Sequence, residues 1–415
     1  MRITRSGFYR ISAPVLLSLQ VAIFYVVLLL AFVVGFAEAT RYFSIPYRLL
    51  ILVLYLSVFV VGFNRIKMIP LPFVIFAFIY LLKIMASFVN GDDFYISNQE
   101  WLLYFVAFCF IPFISLSVID PKSVNWNLVF NCLQFSLVIF STLVIIFYSR
   151  FLGSVSRLSS SLAGELVLSP LILSYLSALT IGTLIIYMVH NKVGSIRFVL
   201  FWGMAGIAFI PYVLGASRGS LIALFVSLMF VMIARLKVER RAVKLLLLAI
   251  FVTILVLFFD SYYDSGLIRR FLSISSDIEQ GSSSAVRLQL WRLTWEGFVD
   301  FPLFGVAFLP NLGYVYPHNI YLETLQTVGV VGFLPFIYIF SKSIYYGFLI
   351  VRTSPQLSWV VVIFVQASVA GFFSGAVYSV GNFWASMALV ILIGKHTAKC
   401  ENPTASAHHS RLNDS

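Results

Sequence analysis

Two arginines and one histidine are the residues of this chain whose types best suit chemistry together. Arg218 and Arg287 carry permanent, planar guanidinium groups that bind phosphate through several hydrogen bonds at once. His318 carries an imidazole that takes up or releases a proton near neutral pH. Arg218 sits in Gly215-Ala216-Ser217-Arg218-Gly219-Ser220 between two apolar runs, which reads as a tight turn whose small residues let a ligand approach the backbone. An arginine snorkelling to lipid headgroups, or one paired with a distant acid, fits that position too. His318 lies in Pro317-His318-Asn319, just before a helix carrying Tyr321, Leu322, Glu323, Gly329 and Gly332. A proton-transfer role and a hydrogen-bonded structural role both suit it.

Arg287 belongs to a segment, Val286 to Phe301, that reads as one helix with an apolar stripe of Leu288, Trp291, Trp295 and Phe298. That stripe is expected to lie on the membrane surface or against a bundle. Arg292 has Glu296 four residues on, so a helical ion pair accounts for it. Arg287 has no acid at its neighbouring positions and falls in the expected first turn, where backbone N–H groups favour an anion. Stacking on an aromatic ring or pairing across the loop are its other readings. Asp92 and Asp93 form the best carboxylate pair, able to hold a metal or act as base, although adjacent acids in a polar loop are usually just solvated. Lys83 lies inside an apolar run and should face the bundle interior, in a structural pair or on a path for an anionic head group. With no second histidine expected on its side and no HExxH spacing, His318 is not expected to bind zinc.

The elements that must position these residues are membrane helices. Hydrophobic residues make up 61% of the 415 and charged ones 11%, and mean hydropathy is +0.99, well outside the range of soluble domains. Apolar runs near 13–37, 45–63, 69–89, 101–119, 128–148, 168–189, 198–216, 220–234, 245–259, 322–341, 357–375 and 380–394 predict an all-α polytopic bundle of about 12 transmembrane helices. The runs 220–234 and 245–259 are short for a full crossing, so they extend into their flanks or dip into the bilayer. The first run is too long for a signal peptide and reads as an uncleaved helix. One large polar loop, about 260–319, interrupts the 1–397 membrane domain, and 398–415 reads as a disordered tail.

Alternation of the spans puts 18 of the 28 basic residues in inside loops and tails, as the positive-inside rule requires. Both termini are then cytoplasmic, and the large loop with Arg287 and His318 faces the opposite, outer side of the membrane. The net charge of +12 follows from this distribution, so nucleic acid is not an expected partner. Cys109 and Cys132 fall in spans and Cys400 in the tail, leaving no outside disulfide or cysteine zinc site. The absence of a GxxxxGK[ST] phosphate loop, and of room for a nucleotide-binding domain, means that any donor arrives already activated.

Taken in order, Ser217-Arg218-Gly219, Val286-Arg287-Leu288-Gln289-Leu290-Trp291, Phe301-Pro302-Leu303-Phe304-Gly305-Val306, Pro317-His318-Asn319-Ile320-Tyr321-Leu322-Glu323 and Gly329-Val330-Val331-Gly332 resemble the O-antigen ligase and polymerase superfamily of bacterial envelope polysaccharide assembly. The resemblance spans Gly215 to Gly332. It implies a GT-C-like, inverting glycosyltransferase of the inner membrane that uses an undecaprenyl-pyrophosphate-linked saccharide donor, with no metal and no cofactor. Arg218 and Arg287 match the family's pyrophosphate-binding arginines and His318 its loop histidine, giving three catalytic residues, with Asn319, Trp291 and Lys83 beside them as substrate-binding. The acceptor is a lipid-linked repeat unit if the protein is a polymerase, the expected role, or lipid A core if it is a ligase. Membrane lipids and a chain-length regulator are the other implied partners. A twelve-helix secondary transporter is the alternative from another class; it predicts several ionisable residues within helices, and Lys83 is the one clear mid-span charge.

Overall fold

The computed structural model describes residues 5–23, 26, 40–90, 98–148, 170–215, 217–235, 283–306 and 316–401. Every regular element among them is helical, the outcome that lipid imposes on a single chain whose backbone N–H and C=O groups must find partners within their own segment. The helices are α1 (Arg5–Ser18), α2 (Thr40–Val61), α3 (Leu71–Asn90), α4 (Asn98–Tyr104), α5 (Ile111–Ser117), α6 (Trp126–Tyr148), α7 (Pro170–His190), α8 (Ser195–Gly215), α9 (Arg218–Ala234), α10 (Ser283–Asp300), α11 (Ile320–Thr353), α12 (Ser358–Phe373) and α13 (Gly381–Glu401). A π-helical stretch, Phe105–Phe110, joins α4 to α5. Among the described residues, 7 helical segments are long and apolar enough to cross a membrane. The expected span 245–259, the end of the first span, Asp92 and Asp93, and all of the tail beyond Glu401 lie outside the described residues.

The short run expected at 220–234 reaches back to Arg218 as α9, with 17 residues, about 25 Å of helix against a hydrocarbon core of roughly 30 Å. At its far end two cations cap helix carbonyls reciprocally: Arg352 Nε donates to Ala234 O at 2.8 Å, and Arg235 Nε to Val351 O at 3.5 Å. Arg218 and this basic end therefore lie a helix length apart.

Aromatic residues fill the core between α3, α5, α11 and α13. Phe73 stacks on Phe113 with centroids 3.6 Å apart, and Phe76 on Trp384 at 5.4 Å. A second cluster joins α6 to α7 through Phe130 and Tyr187, stacked at 3.8 Å. Gln134 on α6 donates to Thr183 on α7 at 2.8 Å, so a buried amide crosses the same interface.

The expected continuous helix at 322–341 is longer and is broken. Helix α11 runs 34 residues, but Gly329 has φ 59° and ψ −166°, so the helical ladder is interrupted there. The segment after α10 fills the gap: Val330 N–H donates to Pro302 O at 2.9 Å, Val331 N–H to Leu303 O at 3.1 Å, and Val306 N–H to Gln326 O at 2.8 Å. Carbonyls of the 302–303 segment thus replace helical partners that the break removes. Lys83, on α3, donates from Nζ to Gly305 O at 2.9 Å and holds the inserted segment from the other side.

Candidate active site

Ser217 is the N-cap of α9, with φ −100° and ψ 120°, which makes Arg218 the first residue of that helix. The glycines around it accommodate protein rather than leaving space at the backbone. A Cβ on Gly215 would lie 2.1 Å from Ser174 Oγ, and one on Gly219 2.2 Å from Tyr175 Oη. The N-terminal part of α7 therefore closes on this turn, and brings Tyr175 beside the arginines. The Tyr175 hydroxyl is buried with no hydrogen-bond partner among the described residues.

Helix α10 starts at Ser283, three residues earlier than the expected Val286, because the serine-rich segment is already helical. Arg287 consequently lies in the second turn, and its attraction for an anion rests on its guanidinium rather than on free backbone N–H groups. The expected stripe divides. Leu290 and Thr294 face inward, Leu288 and Trp295 are exposed, and Trp291 packs edge-on against Phe372 with centroids 5.5 Å apart. Arg292 Nε meets Glu296 Oε1 at 2.8 Å, the local pair that the spacing predicts. Arg287 pairs with no carboxylate among the described residues. It is half-buried. Burial lowers its pKa from the ordinary arginine value and the nearby Arg218 charge acts in the same direction, while Tyr175 and Tyr316 oppose them.

His318 takes a left-handed backbone conformation, φ 56°, the one positive φ of a non-glycine among the described residues. A histidine rarely adopts it without support. The support is visible on both sides. Trp291 Nε1–H donates to Pro317 O at 2.9 Å, and Asn319 caps α11 by accepting from Tyr321 N at 3.0 Å and Leu322 N at 3.2 Å. The imidazole lies against Tyr316 at 4.2 Å between centroids, and its Nδ1 is buried without a partner among the described residues. Burial and then the Arg287 charge push the His318 pKa down to about 4. The ring is neutral at pH 7 and has a nitrogen available to accept a proton.

Arg218, Arg287 and His318, expected together, are thus linked in one electrostatic cluster, which Tyr175 and Tyr316 join. Trp291 and Asn319 hold the histidine turn, and Lys83 lies under the 302–305 segment. The tyrosines escape sequence reading because Tyr175 sits in an otherwise apolar run and nothing local connects it to residue 287. A buried charge at the edge of a span stands beside the mid-span Lys83. Glu323 lies in the first turn of α11 and is 2% exposed; it accepts from Val377 N at 3.1 Å and from the Tyr80 hydroxyl. Its place at the edge of an apolar run hid it, although an acid there needs buried partners.

This arrangement can bind an anion between two guanidinium groups, one of which has no acid partner among the described residues, and take up a proton next to it. Residues 199–337 match the model of a family described as O-Antigen ligase, a stretch that includes Arg218, Arg287, His318 and the broken part of α11. No curated protein matches the chain. The arginine–histidine cluster thus falls within a stretch similar to the O-antigen ligase family, carried by a chain whose apolar helices make it a multi-pass membrane protein.

Proposed function

We propose that the protein is a polysaccharide polymerase of the bacterial inner membrane. It transfers glycan from an undecaprenyl-pyrophosphate-linked donor to a lipid-linked repeat unit on the periplasmic side, with both termini cytoplasmic. The observation that carries this reading is the meeting of Arg218 with a half-buried Arg287 that has no acid partner among the described residues, beside a neutral histidine. Two like charges in a partly dehydrated site repel each other, and a pyrophosphate relieves that repulsion.

In this reaction an acceptor hydroxyl oxygen attacks the anomeric carbon from the face opposite the pyrophosphate. The glycosidic C–O bond to phosphate breaks, its electron pair leaves with undecaprenyl pyrophosphate, and the configuration inverts. The hydroxyl proton passes to His318. Arg218 and Arg287 take the charge that develops on the leaving group, so no metal is invoked in this step. Donor binding also raises the basicity of His318, because the phosphates offset the Arg287 charge that depresses it. Proton transfer is then favoured once the donor is in place.

Lipopolysaccharide electrophoresis of a deletion strain tests the role. Core bearing a single repeat supports the polymerase. Bare core with accumulating lipid-linked polymer supports transfer to lipid A core, the second reading, which the ligase description of the matched family favours. An unchanged surface polysaccharide sinks both.

A further inference from the structure

A cavity of about 660 Å³ lies between α2, the π-helical stretch, α7, α12, the 374–380 link and the start of α13, and it shares Tyr175 and Tyr316 with the arginine cluster. We infer that this cavity is a saccharide subsite, which holds the sugar rings joined directly to the donor pyrophosphate; the inference rests on the function proposed above. Its size lies within the roughly 300–1,000 Å³ usual for small-molecule sites.

Its chemistry selects a sugar over a lipid tail or a metal. No carboxylate lines it among the described residues, so a cation lacks ligands. Side-chain amides and phenols stand among aromatic faces instead. Tyr104 and Tyr378 stack at 6.2 Å with planes 13° apart, and the Arg48 guanidinium lies over Tyr104 at 5.5 Å and Phe108 at 5.3 Å. Sugar rings present C–H faces to such aromatic surfaces and hydroxyls to amides at their edges. Tyr175 Oη and Gln366 Oε1, buried polar atoms of the lining, have no partner among the described residues. Gln366 is 3% exposed and already spends its Nε2 on Ala178 O and Ser227 Oγ, both at 3.2 Å. Its carbonyl oxygen needs a donor at membrane depth, and a hydroxyl supplies one while an acyl chain does not.

The wall is positioned through Glu323. By accepting from Val377 N it pins the turn that presents Tyr378, and the Val377 carbonyl in turn accepts from the Cys109 thiol at 3.1 Å and Trp384 Nε1 at 3.0 Å. Glu323 lies in the first turn of α11, so the subsite wall is tied to the helix that begins beside His318.

Native mass spectrometry of the full-length protein in detergent tests the assignment with two probes: undecaprenyl pyrophosphate without sugar, and lipid-linked oligosaccharide extracted from a deletion strain. Gln366→Met and Tyr104→Leu should each weaken binding of the saccharide-bearing lipid on the order of tenfold, and leave the sugarless lipid within about twofold. Equal loss on both probes, or no loss on either, overturns the subsite. Arg287→Ala tests the other reading separately: it should weaken both probes, and unchanged binding of both by that variant removes the pyrophosphate assignment while the selective effect of the cavity variants stands.

Discussion

Gly305 and Gly329 lie backbone against backbone, both with positive φ, at 70° and 59°. A Cβ on Gly305 would come 2.6 Å from Gly329 N, and one on Gly329 2.6 Å from Gly305 N. Neither position tolerates a side chain, because both the conformation and the space exclude it. Their contact lets the segment after α10 enter the break in α11, and so ties the helix of Arg287 to the helix that begins beside His318.

Gly329→Ala should therefore destabilise the protein more than an ordinary helical substitution. The backbone at φ 59° and ψ −166° is essentially confined to glycine and costs an L-residue about 1–3 kcal/mol, and the clash with Leu303 O, at 2.4 Å from the new Cβ, adds to it. A lowered melting temperature in detergent checks this. An unchanged one would mean that the break is not needed.

Arg218→Ala and Arg287→Ala should each slow glycan transfer about a hundredfold, the usual effect of removing one preorganised donor to a developing negative charge. Membrane levels should stay normal. Arg287→Lys keeps the charge and loses the planar fork, so it should recover only part of the rate. Wild-type chain length in both alanine variants would remove these residues from the site.

His318 predicts a distinctive pH dependence. Its pKa of about 4 in the free protein keeps it neutral over the working range, so the acid limb of kcat/KM should lie near that value. Removing the neighbouring positive charge by Arg287→Gln raises the pKa, and the limb should move up toward the ordinary histidine value of about 6.5. The comparison uses purified enzyme and extracted lipid-linked substrate; a limb that does not move separates the histidine from the arginine. Folding responds with the same sign. A histidine whose pKa is depressed in the native state binds protons more readily when unfolded, so this group lowers stability as pH falls from about 6.5 to about 4.

Trp291→Phe preserves the ring against Phe372 and deletes the hydrogen bond to Pro317 O. The left-handed turn at His318 loses one of its two supports, worth about 1 kcal/mol, or roughly a fivefold loss of rate if it is expressed in positioning. Arg292→Ala is the matching control. Its partner Glu296 is on the same exposed helix face, and transfer should proceed at the wild-type rate. A large loss at position 292 would show that the outward face of α10 contacts substrate.

The helical, multi-pass architecture was legible in the sequence because bilayer thickness and backbone hydrogen bonding leave an apolar run few alternatives. The Arg292–Glu296 pair was legible for a similar reason, since residues four apart on a helix are neighbours whatever surrounds them. That same local geometry marked Arg287 as lacking a nearby acid. What sequence could not reveal were contacts between distant segments. Lys83 reaches a carbonyl 222 positions away, the N-terminal part of α7 supplies Tyr175 to an arginine on α10, and Glu323 finds its partners on α3 and in the link before α13. The break at Gly329 belongs to the same class: a glycine in an apolar run is compatible with a continuous helix, and only carbonyls arriving from Pro302 and Leu303 make interruption the satisfied state. Sequence alone determined which residues carry charge and that the apolar runs form helices able to cross a membrane. Tertiary packing decided which charges meet, because burial, strain and hydrogen-bond completion depend on atoms that the chain brings together only when it folds.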